Sequence, residues 1–285
     1  MTSIIQASNL SKKYGSFQAL DDVNFNIQSG RIVGLIGPNG AGKTTALKAL
    51  LGLTNFDGDL KVCGIDPRTD RHKLMQDVSF IADVAVLPGW MKVCEAIEFV
   101  EGVHPKFSRD KAMEMLALTK IPLNKRVKKL SKGMITQLHL ALVLAIDAKI
   151  LVLDEPTLGL DILYRKAFYD HLLNDYFGED RTIIITTHQV DEIEYLLTDL
   201  LFINDGKIVL DIAMDDIQET YLEVMVGAEQ VSAARNLKPV TEREVFGRHI
   251  FLFENVERAV LAELGEVHVP KVTDLFVAKM KGAEA

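Results

Sequence analysis

The sequence predicts an α/β fold: a mostly parallel sheet with an antiparallel β edge, an inserted helical subdomain and a small C-terminal α+β appendage. Three observations carry this. Short apolar, β-branched runs recur at 33–36, 78–82, 150–153 and 182–186, each bounded by Gly, Asp or Pro and separated by helix-length segments. Between Pro88 and Leu130 the strand signal vanishes and Ala, Met, Glu, Lys and Leu dominate, the composition of packed helices. After Ile212 the character changes again, with strand-like runs at 221–226 and 249–253 followed by amphipathic stretches at 256–264 and 273–280. The expected organisation is a main domain over 1–212, with the helical subdomain at about 84–135, and an appendage over 213–285.

Taken in order, the strand at 32–36 runs into a glycine-rich loop and then a helical run at 45–51. Val190, Ile193, Leu196 and Leu197 recur at helical spacing just after the strand at 182–186, so a helix over 189–198 is expected to pack on the sheet. Asn204-Asp205-Gly206-Lys207, between apolar runs at 200–203 and 208–210, reads as a hairpin that closes the core.

Composition narrows the function. A net charge of −8 without a long Lys/Arg block argues against a nucleic-acid backbone as principal partner, because that binding draws on neutralised phosphates. Cys63 and Cys94 form no CxxC and have no neighbouring histidine, so neither zinc nor a disulfide framework is indicated. Residues 1–15 lack the apolar core of a signal peptide, which predicts a chain that stays in the cytoplasm. The most apolar stretch, 138–153, is broken by Asp147 and Lys149 and falls short of the ~20 residues that cross a bilayer, so any membrane role is borrowed from a partner.

Gly37-Pro38-Asn39-Gly40-Ala41-Gly42-Lys43-Thr44 fits the P-loop pattern and sits between a strand and a helix, where it must. Phosphate oxygens need several donors converging on one point, and glycines let successive backbone N–H groups face inward. The helix N-terminus, at Thr44 and Thr45, adds its dipole. Lys43 supplies a point charge to the outer phosphates, and the Thr44 hydroxyl is placed to ligand Mg²⁺. The second element is the apolar strand ending in Asp154-Glu155. Adjacent strand residues point to opposite faces, so the two acids can differ in role: Asp154 holding Mg²⁺, Glu155 polarising the attacking water as general base.

What lies between and beyond these elements resembles the ABC ATPase family. Leu130-Ser131-Lys132-Gly133-Met134 resembles the ABC signature, commonly LSGGQ, in a variant like those of exporter ATPases. Pro156-Thr157-Leu158-Gly159-Leu160-Asp161 resembles the D-loop, Thr187-His188 the switch histidine, and Tyr14 lies where an adenine-stacking aromatic is expected. The resemblance runs in order from about Ile4 to Asp211. It implies a P-loop NTPase of the ABC ATPase type that binds ATP and Mg²⁺ and hydrolyses ATP, with catalytic residues Lys43, Glu155 and His188. It also implies a homodimer or heterodimer in which Ser131 and Gly133 of one protomer meet the ATP held by the other. The partner would be a separate transmembrane permease, met by the segment 88–100 with Trp90 and Met91, which places the chain peripherally on the inner face of the cell membrane. No nucleic-acid partner is expected. Trp90 packing in a local core is the alternative reading of that residue.

Three positions depart from the pattern. Asp83 stands where the Q-loop glutamine is usual and would still offer an oxygen to the metal shell. Lys132 replaces a signature glycine, its charge turned either to the phosphates or to solvent, and Gln137 replaces an arginine. The alternative function is a soluble ABC ATPase with a non-transport role on ribosomes or DNA; such relatives usually carry two ATPase units or long coiled-coil insertions, and this sequence has neither. A small-molecule kinase would leave the signature unexplained.

Overall fold

The computed structural model describes residues 3–81, 87–158, 160–178, 180–187 and 190–282. Strands β1 (Ser3–Tyr14) and β2 (Phe17–Gln28) pair antiparallel, followed by β3 (Ile32–Ile36), α1 (Lys43–Leu50), β4 (Asp57–Val62), the single turn α2 (Arg71–Leu74) and β5 (Val78–Ile81). Helices α3 (Val93–Val103), α4 (Arg109–Ala117) and α5 (Lys132–Leu144) come next. The chain returns through β6 (Ile150–Asp154), α6 (Ile162–His171), β7 (Thr182–Thr187), β8 (Asp199–Asn204) and β9 (Lys207–Ala213). The remainder is α7 (Met214–Thr220), β10 (Tyr221–Val226), α8 (Val231–Asn236), β11 (Thr241–Val245), β12 (Arg248–Glu254), α9 (Arg258–Ala262), β13 (Glu266–His268) and α10 (Val272–Gly282).

The central sheet has the order β5-β6-β7-β3-β8-β9, parallel except for the antiparallel edge strand β9. Every residue of β3, β6 and β7 is buried, as expected of parallel strands covered on both faces. Ile32, Leu151, Leu153, Ile183 and Ile185 enter a cluster with α5, α6 and α10. The alternating Val33, Leu35, Ile150, Val152 and Ile184 enter a second cluster with α1 and the antiparallel sheet β2-β1-β4. At about 1.5–3 kcal/mol per fully buried aliphatic side chain, these two faces dominate the stability of the fold.

Helices α3, α4 and α5 pack around Val93, Ile97, Leu116 and Leu138 in a core of their own. Strands β11-β12-β10-β13 make a third, antiparallel sheet, one face of which buries Val224, Phe251 and Phe253 beneath α8 and α9. Tyr221 and Leu252 of this sheet, with Val272, Leu275 and Ala278 of α10, join the main cluster, where Phe276 meets Phe202 edge-on at 5.3 Å.

Two expectations are corrected. The segment 189–198 is not an α-helix: its described residues form 3₁₀ turns at Val190–Glu192 and Glu194–Leu196. Their apolar residues are buried, since the i, i+3 spacing suits a 3₁₀ turn as well as an α-helix. The chain must also enter β8 at once, with Thr198 N–H bonded to Ile32 O at 2.8 Å. The helix expected over 256–264 shrinks to the five residues of α9, because Glu266 already pairs with Met225 in the sheet. Strands β1, β2 and β4 add an antiparallel sheet to the expected strands, and β1 and β2 pair with several register shifts.

Candidate active site

Parallel strands β3, β6 and β7 end on one edge of the sheet, and their C-terminal ends bring the site together. From β3 the chain turns through the glycine loop into α1. Gly42, the N-cap, has φ +111°, and a Cβ there would lie 2.5 Å from Ala19 O. Gly37 is equally confined, since its Cβ would lie 2.3 Å from Ile203 O. With no side chain capping α1 and no acid in its first turn, its orphan N–H groups face the cleft as anion donors.

Lys43 is buried, and its Nζ donates to Gly37 O at 2.7 Å and Pro38 O at 3.1 Å, folded onto the loop that precedes it. Burial pulls its pKa below the ordinary lysine value, while the carboxylates of Glu155 and Asp154 act in the opposite sense. An anionic ligand in the loop would supply the compensation that the backbone carbonyls give only in part.

Asp154 is also buried and accepts two hydroxyl donors, one per oxygen: Thr44 Oγ1 to Oδ2 at 3.3 Å and Thr186 Oγ1 to Oδ1 at 2.5 Å. Glu155 follows at φ +48°, in the left-handed region, and its N–H donates to Thr186 O at 3.1 Å and Thr186 Oγ1 at 3.2 Å.

A cleft of about 320 Å³ joins these parts, lined by Pro38, Asn39, Gly40, Gly42, Lys43, Thr44, Thr45, Asp154 and Glu155 together with Tyr14, Phe17 and Ala19. Ala41 lies buried beneath the loop. Tyr14 is half exposed, with Lys12 Nζ 4.9 Å from its ring centroid. Phe17 was not anticipated; it is the register partner of Tyr14 across the β1–β2 turn, so both rings emerge on one face. A second aromatic three positions beyond Tyr14, across Gly15-Ser16, was the available signal.

Ser131 caps α5, its Oγ accepting from Met134 N–H at 3.3 Å, and Gly133 lies in the first turn. These two line a different cleft, of about 310 Å³, with Gln137, Asp161 and Tyr164. No residue is common to the two clefts. Lys132 is exposed in the first turn of α5, and Asp161 caps α6 by accepting from Leu163 and Tyr164 N–H at 3.1 Å each. Trp90 is 67% exposed, which removes the reading that buries it in a local core. Asp83 and His188 lie outside the described residues.

The chain matches the family model for ABC transporters over residues 20–158. It is 32% identical to the bacitracin transport ATP-binding protein BcrA of Bacillus licheniformis, over 78% of this chain and 75% of that protein. It is 31% identical to the Nod factor export ATP-binding protein I of Cupriavidus metallidurans, over 93% of this chain and 90% of that protein. The chain belongs to the ABC transporter ATP-binding family. A solved structure of an ATP-binding subunit of an ABC transporter shares the fold, with a TM-score of 0.68 at 24% identity over 76% of this chain and 92% of that one. As an ABC ATPase the protein binds and hydrolyses ATP, and as an ATP-binding subunit it implies a membrane partner. No helix among the described residues is long and apolar enough to cross a membrane.

Mg²⁺ fits the residues present. Thr44 and Asp154 offer a hydroxyl and a carboxylate, hard oxygen donors, side by side below the phosphate loop. Among the described residues no group of three or more His, Cys, Asp or Glu could hold a metal alone, which suits an ion completed by phosphate oxygens and water.

Proposed function

We propose that the chain is the ATP-driven subunit of an exporter, acting as one half of a dimer that clasps two ATP molecules and moves a separate membrane permease from its inner face. The observation that carries the dimer is the separation of the two clefts: the P-loop and the signature residues Ser131 and Gly133 line different cavities of the same chain. A nucleotide in the first cleft is completed by the signature helix of a second subunit, whose N-terminus offers donors to the γ-phosphate. The export assignment follows the bacitracin transport and Nod factor export relatives. The exposure of Trp90 supports the reading of segment 88–100 as the permease-facing surface.

In this reading the loop amides and Lys43 hold the phosphates, Tyr14 and Phe17 the base, and Thr44 with Asp154 the metal. Mg²⁺ bound there would neutralise charge on the phosphate oxygens. Glu155 accepts a proton from the attacking water, and His188 contacts the γ-phosphate as the sensor of hydrolysis. Asp83 is assigned to the metal and water shell.

The test is Glu155→Gln, which keeps binding but removes the base and should slow hydrolysis by about 10²- to 10⁴-fold. Light scattering after size exclusion should then show a dimer with ATP-Mg²⁺ and a monomer with ADP-Mg²⁺. Adding Ser131→Arg should abolish the dimer while leaving ATP binding. A monomer in ATP-Mg²⁺, both alone and with the permease present, would refute the clasp.

A further inference from the structure

We infer that Thr186 is a positioning residue of the hydrolytic site, joining the metal-holding Asp154 to the water-activating Glu155 through one hydroxyl. The inference rests on the roles proposed above for those two acids. Thr186 is fully buried in β7, an interior strand flanked by β6 and β3, and follows Ile183, Ile184 and Ile185. Packing alone would be served by valine, which has the same shape and no polar group to desolvate. The hydroxyl must therefore be accounted for by its bonds.

It makes two, in different senses. As donor it meets Asp154 Oδ1 at 2.5 Å, and as acceptor it receives Glu155 N–H at 3.2 Å. The first bond occupies one carboxylate oxygen and leaves the other to Thr44, so it selects the rotamer in which Oδ2 faces the P-loop. The second, shared with Thr186 O at 3.1 Å, holds the peptide of Glu155, whose φ of +48° is a conformation that residues with a side chain adopt only when their surroundings impose it. Asp154 and Thr186 are register partners in the parallel ladder, so a rigid backbone fixes their spacing. Thr186 precedes Thr187 at the C-terminal end of β7, two positions before His188 in the chain. A group that supports a metal ligand in this way is worth about 10- to 100-fold in metal affinity or activity when removed.

The experiment compares Thr186→Val, Thr186→Ser and Glu155→Gln in the full chain. Thr186→Val should lower kcat about 10- to 100-fold and should raise the Mg²⁺ concentration needed for half-maximal turnover. Thr186→Ser keeps the hydroxyl and should restore most of the rate. Independently of turnover, calorimetry in the Glu155→Gln background should show Thr186→Val weakening ATP binding in Mg²⁺ but not in EDTA. Unchanged kcat and Mg²⁺ dependence in Thr186→Val overturns the inference. So does equal loss in the Ser variant, or an equal loss of ATP binding in EDTA, either of which marks a packing role. If Thr186→Val does not fold, Thr186→Cys, whose thiol is a weak donor, decides by the same readouts. Full turnover by Glu155→Gln would refute the site reading itself, whereas an inactive Glu155→Gln beside a fully active Thr186→Val refutes only the role of Thr186.

Discussion

The Thr44 hydroxyl lies 3.3 Å from Asp154 Oδ2, although 110 positions separate the two residues in the chain. One stands at the start of α1 and the other at the end of β6, so the contact exists only because β3 and β6 lie close in one sheet, separated by β7. If the pair is a shared metal site, Thr44→Ala and Asp154→Asn should be non-additive. Each alone should remove most of the Mg²⁺-dependent gain in ATP affinity, and the double variant should lose little more. Calorimetry with and without EDTA measures the cycle; simple additivity would separate the two roles.

Tyr14 and Phe17 face the cleft from neighbouring strands. Replacing either with Ala should weaken ATP binding by about 1–3 kcal/mol, the range for loss of a base-stacking aromatic. Inorganic tripolyphosphate, which has no base, should bind both variants as it binds the unaltered protein. Competition titration provides the measurement, and an equal loss for both ligands would place the aromatics in loop folding instead.

Helix α10 is bound into the main core: Leu275 is fully buried, and Phe276 packs edge-on against Phe202 of β8. Leu275→Ala should therefore lower stability by ~2–5 kcal/mol. Its effect should appear in the same calorimetric transition that ATP-Mg²⁺ raises. A separate low-temperature transition, insensitive to nucleotide, would show that residues 213–285 unfold on their own.

His139, on the signature helix α5, is shielded so that burial pushes its pKa down to about 4, and its Nε2 has no hydrogen-bond partner. The unfolded chain, with an ordinary imidazole near 6.5, binds the proton more readily. The stability tied to neutral His139 is therefore complete above about pH 6.5 and is lost as the pH falls through 4. His139→Leu should flatten the acid dependence of the denaturation midpoint across that window. A slope equal to that of the unaltered protein would show that other groups set it.

Sequence alone determined the parts whose physics is local. The P-loop is a backbone conformation written in successive glycines, the paired acids end a run of strand-forming residues, and the signature is a helix start with Ser131 as its cap. Each rests on near neighbours in the chain. Tertiary structure decided what depends on which strands become neighbours. The bond of Thr186 to Asp154 follows from sheet register, and the place of Phe17 beside Tyr14 follows from the β1–β2 pairing. The segment 190–196 shows the same limit. Its apolar spacing specified burial, but the immediate entry into β8 left room only for 3₁₀ turns, because the length of a connection is set by the elements it must join.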